Sequence, residues 1–285
     1  MGQGSARASL LLGFLLYDRR HYEEAGELFE QYTKLRPEDP AGYRCLAVAC
    51  FSHLGRQEEA LPLMKKALSC GADIQLLFET ATLMDRLGTA PSEKIALFAE
   101  HDALMARGDL FTELAKAHNQ NREPEKALET LSRFQFVPCE GGEHAIAEQY
   151  MFAHCLIGTG RLKAGDAEGA LAAFREALTL PEHLGAGVWN RCRYVPYQFR
   201  IAGCLEKLGQ KEEADAFYRE IVGIQVDSFS ETNLKELPYY QAVSARRTGQ
   251  EQLAEKIMTR FRRIWKKELT RKDNGFFDTT PFFLS

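Results

Sequence analysis

Nowhere does this chain stay apolar for the roughly 20 residues that a membrane-spanning helix needs. It has no Cys-x-x-Cys and no His-Glu-x-x-His, so the common short zinc signatures are missing. No Gly-x-Ser-x-Gly supplies a hydrolase elbow. Gly185-Ala186-Gly187 lacks both a third glycine and a preceding strand, which excludes a dinucleotide loop. Excess charge of one sign is also lacking: 36 basic residues face 40 acidic ones, for a net charge of −4. That balance demands neither nucleic acid nor an anionic membrane. A disulfide frame is excluded too. The seven cysteines are odd in number, and Cys45, Cys50, Cys70, Cys139, Cys155, Cys192 and Cys204 lie mostly on apolar helix faces. They read as small buried hydrophobes in a reducing, cytoplasmic compartment. Cys139 and His144 share a loop, but two ligands make no metal site. No metal, cofactor or catalytic residue is expected, and so no enzyme. The apolar run Ala8–Tyr17 behind Arg7 imitates a signal peptide but has no small-x-small cleavage site after it.

What the chain does have is one sentence repeated. Leu54-Gly55-Arg56-Gln57-Glu58-Glu59-Ala60 runs on to Met64, Ala67 and Leu68. The same order of Gly, four residues, Ala, three residues and a large apolar residue recurs at Gly165, Ala170 and Phe174, and at Gly209, Ala214 and Tyr218. The glycine ends one helix, where a left-handed residue costs least. The Glu pair favours the positive N-terminal end of the next helix. The alanine is small because two helices touch there. One such hairpin cannot bury its apolar stripe; a stack of them can.

These residues resemble the tetratricopeptide repeat. The first unit carries Leu12-Gly13, Leu16, Tyr22, Ala25, Phe29 and Pro37, and the second Phe51, Gly55, Ala60, Met64 and Ala67. Later units carry Phe111, Leu114, Ala115, Ala127 and Leu131; then Gly158, Ala170, Phe174 and Ala177; then Gly209, Ala214 and Tyr218; then Gly249, Ala254 and Met258. The resemblance implies an all-α, right-handed α-α superhelix of about seven helical hairpins, a single solenoid over 1–285. Anchor alanines 25, 60, 127, 170, 214 and 254 leave a double gap after Ala60, so residues 1–136 hold regular repeats around one degenerate unit. Residues 137–285 hold repeats with longer insertions. In the degenerate unit, Pro91 is expected to stop the chain before a helix from Ser92 to Ala106, with Ser92 as its N-cap. Gly13, Gly158 and Gly203 fall inside helices and read as close-packing positions. The aromatic tail Gly275–Ser285 lacks a polar cap, which leads to the expectation of a fragment of a longer chain.

From Ala145 to Ser285 the chain also resembles the C-terminal repeat region of certain large bacterial proteins with an uncharacterised galactose-mutarotase-like β-sandwich upstream. The residues are Ala177–Gly187, the Leu-Gly-x-x-Glu-Glu-Ala hairpin and Pro281-Phe282-Phe283-Leu284. This implies a carbohydrate setting for the parent protein without giving this part an activity.

Function then rests on surface. The repeat family lines a groove with its first helices, which points to Phe14, Tyr17, Ala49, His53, Thr82, Asp85, Arg86, Lys116, Asn119, Phe199, Arg200, Tyr239, Val243 and Arg246. The family's clamp for C-terminal carboxylates needs asparagines where this chain has Leu11, Ala49, Glu79 and Arg200, so that partner class is not expected. The densest cluster is Trp189, Arg191, Arg193, Tyr194, Tyr197 and Arg200, in and beside an insertion between repeats five and six. Aromatics with arginines suit hot spots and carboxylate or sugar contacts. With Tyr239 and Arg246 they make the candidate binding residues. The basic run Arg260–Lys272 reads as a solvated amphipathic face. The expected role is a non-catalytic protein-binding scaffold. Its partner is a protein, a peptide or another domain of the same polypeptide, with carbohydrate as a further candidate and with no nucleic acid or membrane. The alternative is an accessory helical region of a bacterial carbohydrate-active protein.

Overall fold

The computed structural model describes residues 3–137, 143–185, 191–225 and 236–270, and among them every regular element is helical. Helices α1 (Gln3–Asp18) and α2 (Tyr22–Leu35) form the first pair, followed by α3 (Pro40–Ser52) with α4 (Gln57–Gly71) and α5 (Ile74–Arg86) with α6 (Pro91–Glu100). Then come α7 (Gly108–Gln120) with α8 (Pro124–Ser132), and α9 (Glu143–Lys163) with α10 (Ala167–Glu176). The last pairs are α11 (Val195–Lys207) with α12 (Lys211–Gly223), and α13 (Leu237–Arg247) with α14 (Glu251–Glu268). Two compact units divide inside α7, one running to Glu113 and the other starting at Leu114. Cys139, Trp189 and the aromatic tail lie outside the described residues.

Each hairpin follows a four-position rule. A residue with positive φ occupies each turn: Arg20, Gly55, Gly88, Arg122, Gly165, Gly209 and Gly249. Glycine visits this region freely, whereas an L side chain loses about 1–2 kcal/mol there. Arg20 and Arg122 therefore hold turns that a glycine signal alone does not reveal. The fourth residue of the following helix is the anchor. Ala25, Ala60, Ala127, Ala170, Ala214 and Ala254 all sit there at 0% exposure. One helical turn later Phe29, Met64, Phe98, Leu131, Phe174 and Tyr218 are buried. Seven residues before the turn, six hairpins carry a small residue: Gly13, Ala81, Ala115, Gly158, Ala202 or Ala242. The second hairpin departs from the rule with a half-buried Val48, which lies between the fully buried Ala47 and Ala49. A Cβ on Gly13 would lie 2.6 Å from the Phe29 ring, and one on Gly158 would lie 2.7 Å from the Phe174 ring. Gly203 does not belong to this set: a Cβ there meets nothing within 4 Å. Its neighbour Ala202 holds the close-packing position.

The degenerate third hairpin keeps its anchor at the fourth residue of the second helix, one residue further from the turn than elsewhere, and changes the residue. Its anchor is Lys94, the fourth residue of α6, at 1% exposure. Lys94 Nζ reaches Asp85 Oδ1 at 2.6 Å and Glu113 Oε2 at 3.0 Å. A buried ammonium needs such partners because removing it from water costs several kcal/mol. Pro91 also behaves differently from the sequence expectation. It opens α6 as its first residue instead of stopping the chain, since its missing N–H lies among the amides that have no helical acceptor. Ser92 is therefore inside the helix, and Ala90 takes the cap position. The helix ends at Glu100, with a 3-10 turn over Asp102–Leu104. Three other helices, α3, α5 and α10, are capped by side-chain carboxylates: Asp39 accepts from Ala41 N, Asp73 from Leu76 N and Asp166 from Gly169 N.

Two opposed glycine substitutions check the packing rule by urea denaturation. Gly203→Ala gains up to about 1 kcal/mol of helix propensity in open space. Gly158→Ala loses about 1–2 kcal/mol despite the same propensity gain, because the buried Phe174 ring must shift. Lys94→Ala restores the consensus anchor yet costs about 3 kcal/mol, because it removes the buried ammonium from between two partly buried carboxylates. Adding Asp85→Asn and Glu113→Gln recovers most of that loss.

Candidate functional site

The first unit turns most of its polar groove positions inward on themselves. Arg44 grips Glu79 with two bonds, Nε to Oε2 at 2.5 Å and Nη2 to Oε1 at 2.6 Å. The Glu79 side chain is 2% exposed, and Gln75 Nε2 donates to it at 3.0 Å. Asp85, expected in the groove, is held by Lys94. Tyr22 and His53 stack at 3.6 Å, and Tyr17 meets His53 edge-on at 5.4 Å. Burial pushes the Tyr17 phenol up to about 12 and lowers the His53 imidazole below its usual range. These contacts satisfy charges and rings within the fold.

The second unit holds the sequence-derived binding residues, and it sorts them by depth. Trp189 and the side chain of Arg191 lie outside the described residues. Arg193 pairs with Glu148 of α9, its side chain 22% exposed. Tyr194 is half-buried and takes the cap position of α11. Tyr197 packs against the core cluster of Cys155, Leu171, Phe174, Ile201 and Tyr218, and burial pushes its phenol well above the usual range. Arg200 is half-buried and donates Nη1 to Pro196 O at 2.8 Å, one turn back on its own helix. On α13, Tyr239 is 46% exposed and Arg246 is exposed, with salt bridges to Glu251 and Glu255 at 3.0 and 3.2 Å. Tyr239, Val243 and Arg246 fall at the i, i+4, i+7 spacing of one helix face.

What brings Arg200 and Tyr239 onto neighbouring helices is a chain of rings. Tyr218, at 1% exposure, meets Phe199 at 5.7 Å, and Phe199 meets Tyr240 at 5.4 Å. Tyr240 meets Tyr239 at 5.6 Å, and Tyr239 continues to Phe261 at 6.5 Å and on to Trp265. All but the tilted Tyr239–Phe261 pair are edge-to-face, a geometry worth about 0.5–1.5 kcal/mol per pair beyond burial. Sequence reasoning reached Phe199 and Tyr239 but missed Tyr240, and no local signal marked Glu148 as the Arg193 partner.

The six described cysteines are free thiols, five of them buried. Burial pushes the Cys45 thiol up to about 11, the environment of an inert core residue rather than a nucleophile. Among the described residues no three His, Cys, Asp or Glu side chains converge as metal ligands, and no helix is long and apolar enough to cross a membrane.

Packing and surface roles separate in a stability series. Tyr197→Ala is expected to cost on the order of 2–4 kcal/mol, whereas Arg200→Ala stays within about 0.5 kcal/mol. A double-mutant cycle over Arg193→Ala and Glu148→Ala gives a coupling of about 1 kcal/mol or less, as for ion pairs near solvent.

Comparison with known proteins agrees with this geometry. Sequence models of the tetratricopeptide repeat match residues 10–74 and 195–225. The C-terminal part of a tetratricopeptide repeat-containing protein from Cytophaga hutchinsonii is similar at a TM-score of 0.54 and 15% identity, over 92% of this chain and 96% of that one. A chain of the Naa15/Naa10 complex bound to HypK-THB is similar at a TM-score of 0.52 and 18% identity. That match covers 84% of this chain and 34% of the other, so this chain spans about a third of that protein's length. At such identities the likeness is one of fold. The chain thus carries tetratricopeptide repeats at residues 10–74 and 195–225 and has the all-helical hairpin fold of tetratricopeptide-like solenoids.

Proposed function

We propose that this chain is a non-catalytic scaffold whose second unit binds a protein or peptide partner on the face carrying Arg200, Tyr239 and Arg246. The observation that carries the reading is Tyr239. A large ring 46% open to solvent is fixed at the surface by a run of ring contacts reaching the buried Tyr218. A rigid aromatic anchor beside arginines is the composition of a binding hot spot, and fixing it in advance lowers the entropy lost on binding. Tyr197 and Arg193 act behind this face, as packing and as an ion pair. An exposed tyrosine beside arginine also stacks on sugar rings, which keeps the carbohydrate-associated alternative testable in the same design.

The test is peptide-display selection on the wild-type chain with a glycan array alongside. Tyr239→Ala should weaken a selected peptide at least tenfold, with a stability cost of about 1–3 kcal/mol from its two lost ring contacts that leaves the protein folded at the assay temperature. Equal affinity for wild type and variant would sink the assignment, and glycan binding without any selected peptide would replace it with the alternative.

A further inference from the structure

A second site lies at the other end of the same unit, away from the ring chain and independent of it. The last two turns of α9 and the start of α8 border an open cavity of about 430 Å³. Pro124, Leu156 and Ile157 supply apolar floor, and Arg122, Arg161 and Lys163 stand among its lining residues with Glu125 as the one carboxylate. Three cations against one anion make a local positive surface on a chain whose net charge is −4. Arg161 is steadied by a bond from Nη1 to Gly169 O at 3.1 Å. No carboxylate of the described residues forms an ion pair with Arg122, Arg161 or Lys163. Several arginines elsewhere in the protein are paired with carboxylates, as Arg56 is with Glu30 and Glu59 and Arg175 is with Glu213.

Two backbone features mark the cavity rim, at Arg122 and Gly160. Arg122 holds its turn at φ 62, a strained conformation for a side-chain-bearing residue. Glycine would relieve that strain but would remove a guanidinium from the rim. Gly160 lies in the interior of α9, where glycine costs about 1 kcal/mol relative to alanine. Close packing does not explain it, because a Cβ there meets nothing within 4 Å. Its missing side chain leaves space.

We propose that this cavity binds an acidic peptide segment of a partner protein, with one apolar side chain seated on Pro124, Leu156 and Ile157 and flanking carboxylates held by Arg122, Arg161 and Lys163. Arginine forks pair with carboxylates through two parallel bonds, and the apolar seat sets the register of the segment. Such a contact weakens as salt rises, because the cations are near solvent.

The probe is a fluorescein-labelled nonapeptide of aspartate and glutamate with one central leucine, titrated by fluorescence anisotropy against the whole chain. A control peptide replaces the acids with lysine. The acidic peptide should bind with affinity falling as salt is raised, and the basic control should not bind. Gly160→Leu fills the cavity from a position where nothing clashes, so it should weaken binding at least tenfold with the helix content retained. Arg161→Glu combined with Lys163→Glu should do the same, whereas Tyr239→Ala and the double change Arg262→Glu, Arg263→Glu on α14 should leave binding unchanged. Absence of binding by the acidic peptide overturns the proposal. So does binding that survives both cavity variants, or binding lost with the α14 charges instead.

Discussion

The described hairpins depend on one buried position, repeated seven times: the fourth residue of each second helix is 0–1% exposed and, in six of the seven, an alanine with no room for more than a Cβ. Once that position is set, the others follow. The residue seven places before the turn, small in every hairpin but the second, lets the partner helix approach. The large residue one turn after the anchor fills the space beside it. In the first hairpin Phe29 fills so completely that even a methyl group on Gly13 would intrude on its ring. A contact this tight is sensitive to volume in both directions, as expected of interiors packed to crystal density.

Lys94 shows what happens when the rule is broken. A lysine occupies the anchor position as the fourth residue of α6, which starts one residue later after its turn than the other second helices do, so Lys94 lies six residues past Gly88 where the other anchors lie five past their turns. The charge is then matched from two helices, Asp85 on α5 and Glu113 on α7. Arg44 with Glu79 repeats the logic one hairpin earlier. Such buried pairs add little net stability over an apolar core, but they penalise any arrangement that leaves one member alone. The degenerate hairpin thus exchanges apolar packing for a requirement that three successive first helices keep their places.

The hairpin grammar was legible because it is periodic: a residue type recurring at fixed spacing reports a shared environment, and that gives away the fold and most anchors. It failed where a different residue does the same work. Arg20 and Arg122 adopt the turn conformation without being glycine, and only counting five residues back from Ala25 and Ala127 reveals them. Gly203 misleads because a glycine in a helix suggests close packing, whereas its neighbour Ala202 holds that register. Lys94 was invisible as an anchor because a lysine inside a helix reads as solvated. The binding residues were harder still. Sequence placed Tyr197 and Tyr239 together as interface aromatics, and only the fold separates a ring packed on Cys155 and Ile201 from one left open.

The open and the buried aromatics are nevertheless parts of one construction. Tyr218 is the large residue of the sixth hairpin, where other hairpins use Phe, Met or Leu, and its hydroxyl must find a partner once buried. It donates to Glu206 Oε2 at 3.0 Å, and Glu206 in turn pairs with Arg247 of α13 at 3.2 Å. Burial, followed by the bond to Glu206, pushes the phenol above its usual range and keeps it a neutral donor. The same side chain therefore fixes α13 twice, through its hydroxyl to Glu206 and Arg247 and through its ring to Phe199 and Tyr240. Tyr239 inherits that rigidity. A core position buried in six of the seven described hairpins thus acquires, in one repeat, the polar tip that orients a surface tyrosine. That is how a uniform stack of hairpins can present a face that is not uniform.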